Sequence, residues 1–341
     1  MASSHKIETL AFPVLLGDIG GTNARFALLP GRDEEVLHFA PVRTGDFPSI
    51  ESAVGAAVFD KTDIRPRSAL FALAGPIDGD EVDLTNAEWV IRPRDVMAAT
   101  GISDIALLND FEAQALAISA LDDPCMTTEA IGPELATEAN CRVVLGPGTG
   151  LGVAGLVYAS GLWTPVPGEG GHVALGPDAD DEFPIWPHIE KEGGRISAEA
   201  LLAGRGIPRL YRAVAAARGL AAELSTPAEV TNAALGGQDP LALATMTLYC
   251  RLLGRVAGDL ALVFMATGGV FIAGGIAPRI ALLLKEGEFR RAFEAKYPHE
   301  NLMRQIATRL ITASQPALTG LAAFARAPEN FSVPLDRRRW R

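Results

Sequence analysis

The chain has 341 residues, and 48% of them are hydrophobic against 21% charged. Such a chain can bury a substantial core, which excludes a disordered protein, and at roughly 150 residues per domain the length predicts about two domains. The formal charge of −11 argues against a general binder of nucleic acid or of membrane surfaces. The three cysteines form no CxxC pair, which excludes a disulfide scaffold and favours a reducing, cytoplasmic compartment.

Local patterning divides the chain into alternating strands and helices. In chain order, the predicted elements are strands at 14–19 and 25–29, a helix at 49–59, strands at 69–73 and 105–108, a helix at 111–121, strands at 142–145 and 152–158, helices at 198–203 and 240–266, a strand at 271–273, a helix opened by Pro278, and a last helix at 316–325. The arginine-rich tip at 337–341 is predicted to be a solvated end.

Residues 260–277 approach the length of a membrane span, because 18 consecutive positions carry no charge. Two glycine pairs, Gly268-Gly269 and Gly274-Gly275, interrupt the stretch and favour a helix end, a buried strand and a turn instead. Residues 1–13 lack the continuous apolar run of an export signal. We therefore expect no membrane association.

Two predicted hairpins resemble each other. One reads LLGDIGGTNARFALL and the other VVLGPGTGLGVAGLV, each with a turn rich in Gly and Thr between two apolar strands. This weak repeat predicts two related α/β domains that face one another.

Both glycine-rich turns are candidates for binding phosphate. Glycine lets backbone N–H groups approach an anion, and Thr22 and Thr149 add hydroxyl donors. Asp18, where the first strand meets its turn, suits a metal ion bound through water. The alternative is two ordinary hairpin turns. A P-loop motif is absent, and the G-x-G-x-x-G at 150–155 precedes a predicted strand where a dinucleotide site needs a helix.

Polar residues that suit a polyhydroxylated ligand follow in three places. Asn109-Asp110 ends a strand, where Asp can accept a hydroxyl proton and Asn can hold a neighbouring hydroxyl, although an Asp helix N-cap is the simpler interpretation. Glu169 and His172 stand among three glycines in an open segment, and no cysteine lies near enough to favour zinc. Glu199 near a helix start suits either a ligand or the helix dipole. Together with two phosphate turns, these groups point to phosphoryl transfer onto a sugar hydroxyl.

Six motifs together resemble the bacterial glucokinase family, from about residue 14 to 321. They are GDIGGTNARFAL (17–28), LLNDFEAQA (107–115), LGPGTGLG (145–152), PGEGGHV (167–173), ISAEALLAG (196–204) and GGVFIAGGIAPR (268–279). The related ROK sugar kinases carry a zinc-binding cysteine cluster that this chain lacks, so the resemblance is to the zinc-free glucokinases. The segments before residue 14 and after residue 327 have no clear counterpart.

The resemblance implies a two-domain α/β actin-like ATPase (ribonuclease H-like) fold with an interdomain cleft. The smaller domain would comprise residues 1–121 with 313–341, and the larger one residues 122–312. The implied activity is transfer of the γ-phosphoryl group of MgATP to the 6-hydroxyl of D-glucose, in the cytoplasm, by a homodimer.

The resemblance also assigns roles to residues. Asp110 would be the general base, and Asp18 would hold Mg²⁺ through water. The implied sugar ligands are Asn109, Asp110, Glu169, His172 and Glu199. The implied nucleotide contacts are Gly17, Asp18, Ile19, Gly20, Gly21, Thr22, Gly148, Thr149, Gly274 and Gly275. Thr85-Asn86 would border the sugar.

Three alternatives stay open at this point. A kinase of mannose, fructose or an N-acetylhexosamine would use the same motifs. A sugar-responsive regulator would need a DNA-binding module, and only 13 residues precede the first strand. An actin-like assembly ATPase would not need Glu169 and His172.

Overall fold

The structure, a computed structural model, describes residues 9–75, 77, 79–84, 88–135, 139–237 and 239–341. The strands within these ranges are β1 Val14–Ile19, β2 Asn23–Leu29, β3 Leu37–His38, β4 Val42–Arg43, β5 Ser68–Leu73, β6 Val82–Asp83, β7 Val90–Ile91, β8 Asp104–Asn109, β9 Thr128–Ala130, β10 Arg142–Pro147, β11 Leu151–Ala159, β12 Leu162–Gly168, β13 Val270–Ile272, β14 Thr308–Ile311 and β15 Arg339–Trp340.

The helices are α1 Ile50–Val54, α2 Pro93–Thr100, α3 Asp110–Ala117, α4 Ala198–Leu202, α5 Gly206–Ala217, α6 Pro227–Leu235, α7 Pro240–Phe264, α8 Ala281–Lys285, α9 Glu288–Glu294, α10 Glu300–Gln305 and α11 Pro316–Arg326. A π-helical turn at Gly55–Phe59 continues α1. No helix in the described ranges is both long and apolar enough to cross a membrane.

The chain forms two compact units. Unit 1 comprises the chain as far as Thr127, together with Leu156–Pro167 and Ala313–Arg341, and unit 2 comprises Thr128–Gly155 and Gly168–Thr312. The domain boundaries predicted at residues 121 and 312 stay a prediction.

Unit 1 is built on a sheet with strand order β15-β8-β5-β1-β2-β3. Strands β1, β5 and β8 run parallel, so that Ile19, Leu73 and Asn109 are in register at one edge. The strands are almost wholly apolar because helices cover both faces. Residues of β1 alternate between a core shared with α1 and α2 and a second core shared with α3 and α11.

Unit 2 repeats this plan around the parallel strands β10, β13 and β14. Its core is one apolar cluster that includes the buried residues of α5, α6, α7 and α9. Helix α7 is long and buried along most of its length, with Tyr249 and Cys250 fully enclosed.

Most predicted elements are confirmed, and one is wrong. The hairpin strands, the Ser197 N-cap and the long helix from Pro240 lie where the patterning placed them. Pro278 lies in the first turn of a helical segment, as predicted, and this segment is a 3₁₀ helix that runs directly into α8. The arginine-rich tip is not a solvated end, because Trp340 is only 6% exposed and pairs in the sheet as part of β15.

Candidate active site

Three parallel strands of unit 1 end together and bring the first group of candidate residues to one edge. Asp18 lies near the end of β1, Gly75 follows β5, and Asn109 ends β8. The Asn109 side-chain amide donates to the Gly75 carbonyl at 3.3 Å. Strand ends of α/β sheets are where ligands bind, and here this edge carries Asp18, Asn109 and Asp110.

Asn109, and not Asp110, is the N-cap of α3. Its Oδ1 accepts from the Phe111 N–H at 2.9 Å, and the Glu112 carboxylate accepts from the Asn109 N–H at 2.9 Å, which completes a capping box. The interpretation of Asp110 as the cap is therefore wrong. Asp110 is the first residue of the helix, where its carboxylate accepts from the Phe111 N–H at 3.0 Å.

Burial, with a further contribution from the negative charge of Asp18, raises the pKa of the Asp110 carboxyl to about 6. Burial also raises the pKa of Asp18, although its ion pair with Arg25 at 3.0 Å opposes that shift. Asp18 and Asp110 are thus two neighbouring, largely buried carboxylates, and the pKa of Asp110 is close to neutrality. This combination is typical of a site that accepts a proton.

Arg25 is a site residue that sequence reasoning missed. It stands directly opposite Asp18 in the antiparallel β1–β2 pair, and its guanidinium donates to Asp18 Oδ2. The hairpin sequence could have revealed this pair, because the length of the turn fixes the register of the two strands and so places Arg25 opposite Asp18.

The glycine turn of unit 1 follows β1 closely. The Gly20 N–H donates to the Asn23 carbonyl at 3.0 Å, and Thr22 is exposed at the tip. Gly17 lies against the Phe71 ring, where a Cβ would be 2.6 Å from a ring carbon. The Ile19 side chain is buried in the core, so only its backbone is available to a ligand.

The second glycine turn lies in unit 2 at the carboxyl ends of β10 and β13. The Gly148 N–H donates to the Gly150 carbonyl, the Gly204 N–H donates to the Gly148 carbonyl, both at 2.8 Å, and Thr149 is exposed. Gly274 has φ +80°, and a Cβ on it would lie 2.4 Å from the Pro147 carbonyl oxygen.

Open space surrounds the backbone at Gly148 and at Gly275, where a Cβ would meet no atom within 4 Å. Bare backbone of this kind at strand ends can receive a phosphate or a flat ring system.

Unit 2 also carries the remaining candidate sugar ligands. Glu169 is the N-cap of a short 3₁₀ turn and His172 is its last residue, with His172 Nε2 3.7 Å from the Glu169 carboxylate. Their side chains are 87% and 57% exposed, which leaves both available to a ligand.

Glu199 is held more tightly than the sequence suggested. Its Oε2 accepts from the Leu151 N–H at 2.9 Å, and its Oε1 pairs with Arg205 at 2.8 Å. The bond to Leu151 lies where the glycine turn enters β11, so Glu199, itself a candidate sugar ligand, is bonded to the candidate phosphate turn of unit 2. Thr85 and Asn86 lie outside the described residues.

Comparison with solved structures defines the class of protein. The chain resembles the crystal structure of glucokinase from an Antarctic psychrotroph with a TM-score of 0.82 and 34% identity, over 92% of this chain and 98% of that one. A ROK family glucokinase from Streptomyces griseus, solved with glucose and AMPPNP, matches with a TM-score of 0.61 at 20% identity over 92% and 99%, which shows the fold alone. The fold is that of the actin-like ATPases, as found in sugar kinases.

The sequence comparisons then specify the family. The glucokinase family model matches residues 15–328. A glucokinase of Sinorhizobium medicae is 56% identical over 334 residues, which is 98% of each chain. The chain belongs to the glucokinase family and is an ATP-dependent hexose kinase.

Proposed function

We propose that this protein transfers the γ-phosphoryl group of ATP to the 6-hydroxyl of D-glucose, giving glucose 6-phosphate and ADP, with Asp110 as the general base. Family membership supports the reaction. The observation that carries the proposal is the Asp110 carboxylate, which lies beside Asp18 at the ends of parallel strands with its pKa raised to about 6. At pH 7 such a group is mostly ionised and still accepts a proton readily.

Phosphoryl transfer through a loose transition state requires positioning and charge stabilisation more than a strong base. Asp110 orients the acceptor hydroxyl and takes its proton as the new P–O bond forms. Asn109 is fixed by its bonds to Phe111 and Gly75, so its amide is placed to hold a neighbouring hydroxyl. Glu169, His172 and Glu199 of unit 2 supply further partners for sugar hydroxyls.

For ATP, we assign the phosphates to the two glycine turns and the adenosine to Gly274-Gly275. Thr22 and Thr149 are exposed at the turn tips, where their hydroxyls can donate to phosphate oxygens. Gly275 has the open backbone that a purine or ribose needs.

Mg²⁺ fits the donors present at β1. This ion keeps several waters and takes one or two protein carboxylates with substrate phosphates, so Asp18 suffices to hold it through water. In the described part of the chain, no three His, Cys, Asp or Glu side chains are grouped as a metal cage. When bound, Mg²⁺ neutralises charge on the nucleotide phosphates.

We further propose that the enzyme acts in the cytoplasm at the first step of glycolysis and that it forms a homodimer. The three unpaired cysteines support the compartment. Sedimentation of the purified protein would test the dimer.

The direct test is ADP release from MgATP across glucose, mannose, fructose and N-acetylglucosamine, with a control lacking sugar. We expect release that depends on glucose and is weaker with the others. Asp110→Asn should lower kcat at least about 10²-fold. Asp95→Asn is the matched control, because Asp95 is an exposed acid in the first turn of α2 and should leave kcat unchanged. ADP release without sugar, or none with any sugar, would contradict the proposal.

A further inference from the structure

The C-terminal tail is an added strand of the sheet that carries the candidate base. Arg339 and Trp340 pair antiparallel with Ala106 and Ile105 of β8. The Leu107 N–H donates to the Arg338 carbonyl at 2.9 Å and extends the pairing toward the end of β8. The tail therefore covers the edge of the one strand that leads directly into Asn109 and Asp110.

Two side chains anchor the tail at its far end. Trp340 is buried in the unit 1 core, and its indole N–H donates to Asp80 at 2.8 Å. Arg339 makes a two-point ion pair with Asp104, with Nε–Oδ1 at 2.8 Å and Nη2–Oδ2 at 2.6 Å. The contacts of Arg339 lie at the start of β8, five residues before Asn109. Together with Trp340, they hold the tail on the sheet.

Arg338 makes a different contact, at the other end of β8. Its Nη1 donates to Glu112 Oε2 at 2.5 Å, and its remaining nitrogens are held by the Pro334 carbonyl. The Glu112 side chain is only 2% exposed. The same Oε2 atom accepts from the Asn109 N–H at 2.9 Å. A continuous path of hydrogen bonds thus runs from Arg338 through Glu112 to Asn109.

The Arg338 guanidinium compensates the buried charge of Glu112, so the loss of Arg338 should affect Asn109. A buried carboxylate without its cation is strongly unfavourable, so Glu112 deprived of Arg338 would rotate toward water. That rotation breaks the capping box that fixes the backbone at Asn109. Asp110 is the next residue, and a displacement of about 1 Å at a reacting group can lower a rate about 10²-fold.

We propose that Arg338 is a positioning residue for the Asn109–Asp110 pair and acts through Glu112. This inference rests on the proposed function. It assigns to the tail a role in catalysis in addition to covering the edge of β8, and it separates Arg338 from its neighbours Arg337 and Arg339.

The experiment compares four variants in the glucose assay with saturating MgATP, at a temperature where circular dichroism shows full folding. Arg338→Met removes the charge, Arg338→Lys keeps it, Arg339→Met removes an ion pair of the same strand at the start of β8, and Arg337→Met changes an exposed neighbour. We expect Arg338→Met to lower kcat/KM for glucose at least about tenfold while KM for ATP changes less than twofold. Arg338→Lys should recover most of that loss, and Arg337→Met should resemble the wild type.

Arg339→Met separates positioning from stability. It should lower the Tm at least as much as Arg338→Met and leave kcat/KM for glucose within twofold of the wild type. The inference is overturned if Arg338→Met retains wild-type kcat/KM, if Arg338→Lys is as impaired as Arg338→Met, or if Arg339→Met loses as much activity. If Arg338→Met does not fold, a wild-type kcat/KM in Arg338→Lys supports the role of the charge and a tenfold loss overturns it. A wild-type protein inactive with glucose would instead remove the proposed function, and the inference with it.

Discussion

Asp110 meets two requirements that oppose each other. Burial and the neighbouring charge of Asp18 raise its pKa to about 6, which suits a base that works near neutrality. The same surroundings make the ionised carboxylate unfavourable in the folded chain. The residue that serves the reaction is therefore expected to reduce the stability of the protein at the pH where it works.

Asp110→Asn should raise the free energy of unfolding at pH 7 by about 1–3 kcal/mol. The folded pKa of about 6 lies above the unfolded value of 3.8, so the folded chain binds this proton more tightly. The contribution of Asp110 to stability is complete below about pH 4 and is lost as the pH rises through about 6. Urea unfolding at pH 7 should show the gain, and the difference should vanish near pH 4.

The pH profile of the wild type tests the same pKa through activity. Only the ionised carboxylate accepts a proton, so kcat/KM for glucose should fall as the pH decreases through about 6. Asp95→Asn should leave both the profile and the stability unchanged. An acid limb near pH 4, together with equal stability of Asp110→Asn and the wild type at pH 7, would show that the Asp110 pKa is not raised.

The sequence predicted which residues lie at this end of the sheet better than it predicted the hydrogen bonds and ion pairs between them. The Asn109-Asp110 pair after an apolar strand marked the place, but which of the two caps α3 depends on the backbone turn and on Glu112, three residues later. The Asp18–Arg25 pair depends on hairpin register. The Arg338–Glu112 contact joins residues 226 apart, a separation that no local pattern encodes.

At the scale of elements, the turn between β10 and β11 depends on a side chain from α4. Glu199 accepts from the Leu151 N–H and pairs with Arg205, whereas Glu169 is 87% exposed. Glu199→Ala should therefore raise KM for both ATP and glucose about tenfold, the loss expected for a hydrogen bond to a charged group. Glu169→Gln should raise KM for glucose alone.

Initial rates over a matrix of ATP and glucose concentrations separate the two variants. Glu190→Ala serves as a control, because Glu190 is an acid of unit 2 that is 68% exposed. If Glu199→Ala raised KM for glucose only, the bond to Leu151 would have no part in nucleotide binding.

Two adjacent glycines after β13 allow a second comparison at this scale. Gly274 has φ +80° and no room for a Cβ, whereas Gly275 faces open space. Gly274→Ala should lower the free energy of unfolding by about 1–3 kcal/mol. Gly275→Ala should leave the Tm unchanged and raise KM for ATP, because the added methyl would occupy the proposed adenosine contact. Thermal melts and ATP titrations distinguish these outcomes. An unchanged KM for ATP in Gly275→Ala would contradict the assignment of the adenosine to this turn.

The elements that sequence predicted correctly are those whose signals are local. Apolar runs gave β1, β5, β8 and β10, and the periodic pattern over 240–266 gave α7, which spans 25 residues. The tail strand β15 was missed because its two residues become a strand only by pairing with β8. The tip consists of four arginines and one tryptophan. Such a charged run is typical of a solvated end, and only a distant part of the chain that pairs with it makes it a strand.

For the molecule as a whole, unit 1 is discontinuous in the chain. Its last helix, α11, packs against α3, and Gly320 allows the two backbones to approach so closely that a Cβ would lie 2.1 Å from the Ala113 carbonyl oxygen. Residues of α11 complete the core on that face of the sheet. Unit 2 has its own apolar cluster, which contains no residue after Leu310.

A chain that ends at Thr312 should therefore lose the folded state of unit 1 and keep that of unit 2. It lacks Leu318, Leu321 and Phe324, each fully buried and each contributing roughly 1.5–3 kcal/mol. Their sum of several kcal/mol approaches the stability of a whole domain. Native-state proteolysis with mass spectrometry should show cleavage throughout residues 14–117 and protection of 168–305. A chain that ends at Asp336 keeps α11 and loses only the tail strand. Its residues 14–117 should be less protected than in the full chain but clearly more protected than in the chain that ends at Thr312, and equal protection in the two truncations would show that α11 is not needed to fold unit 1.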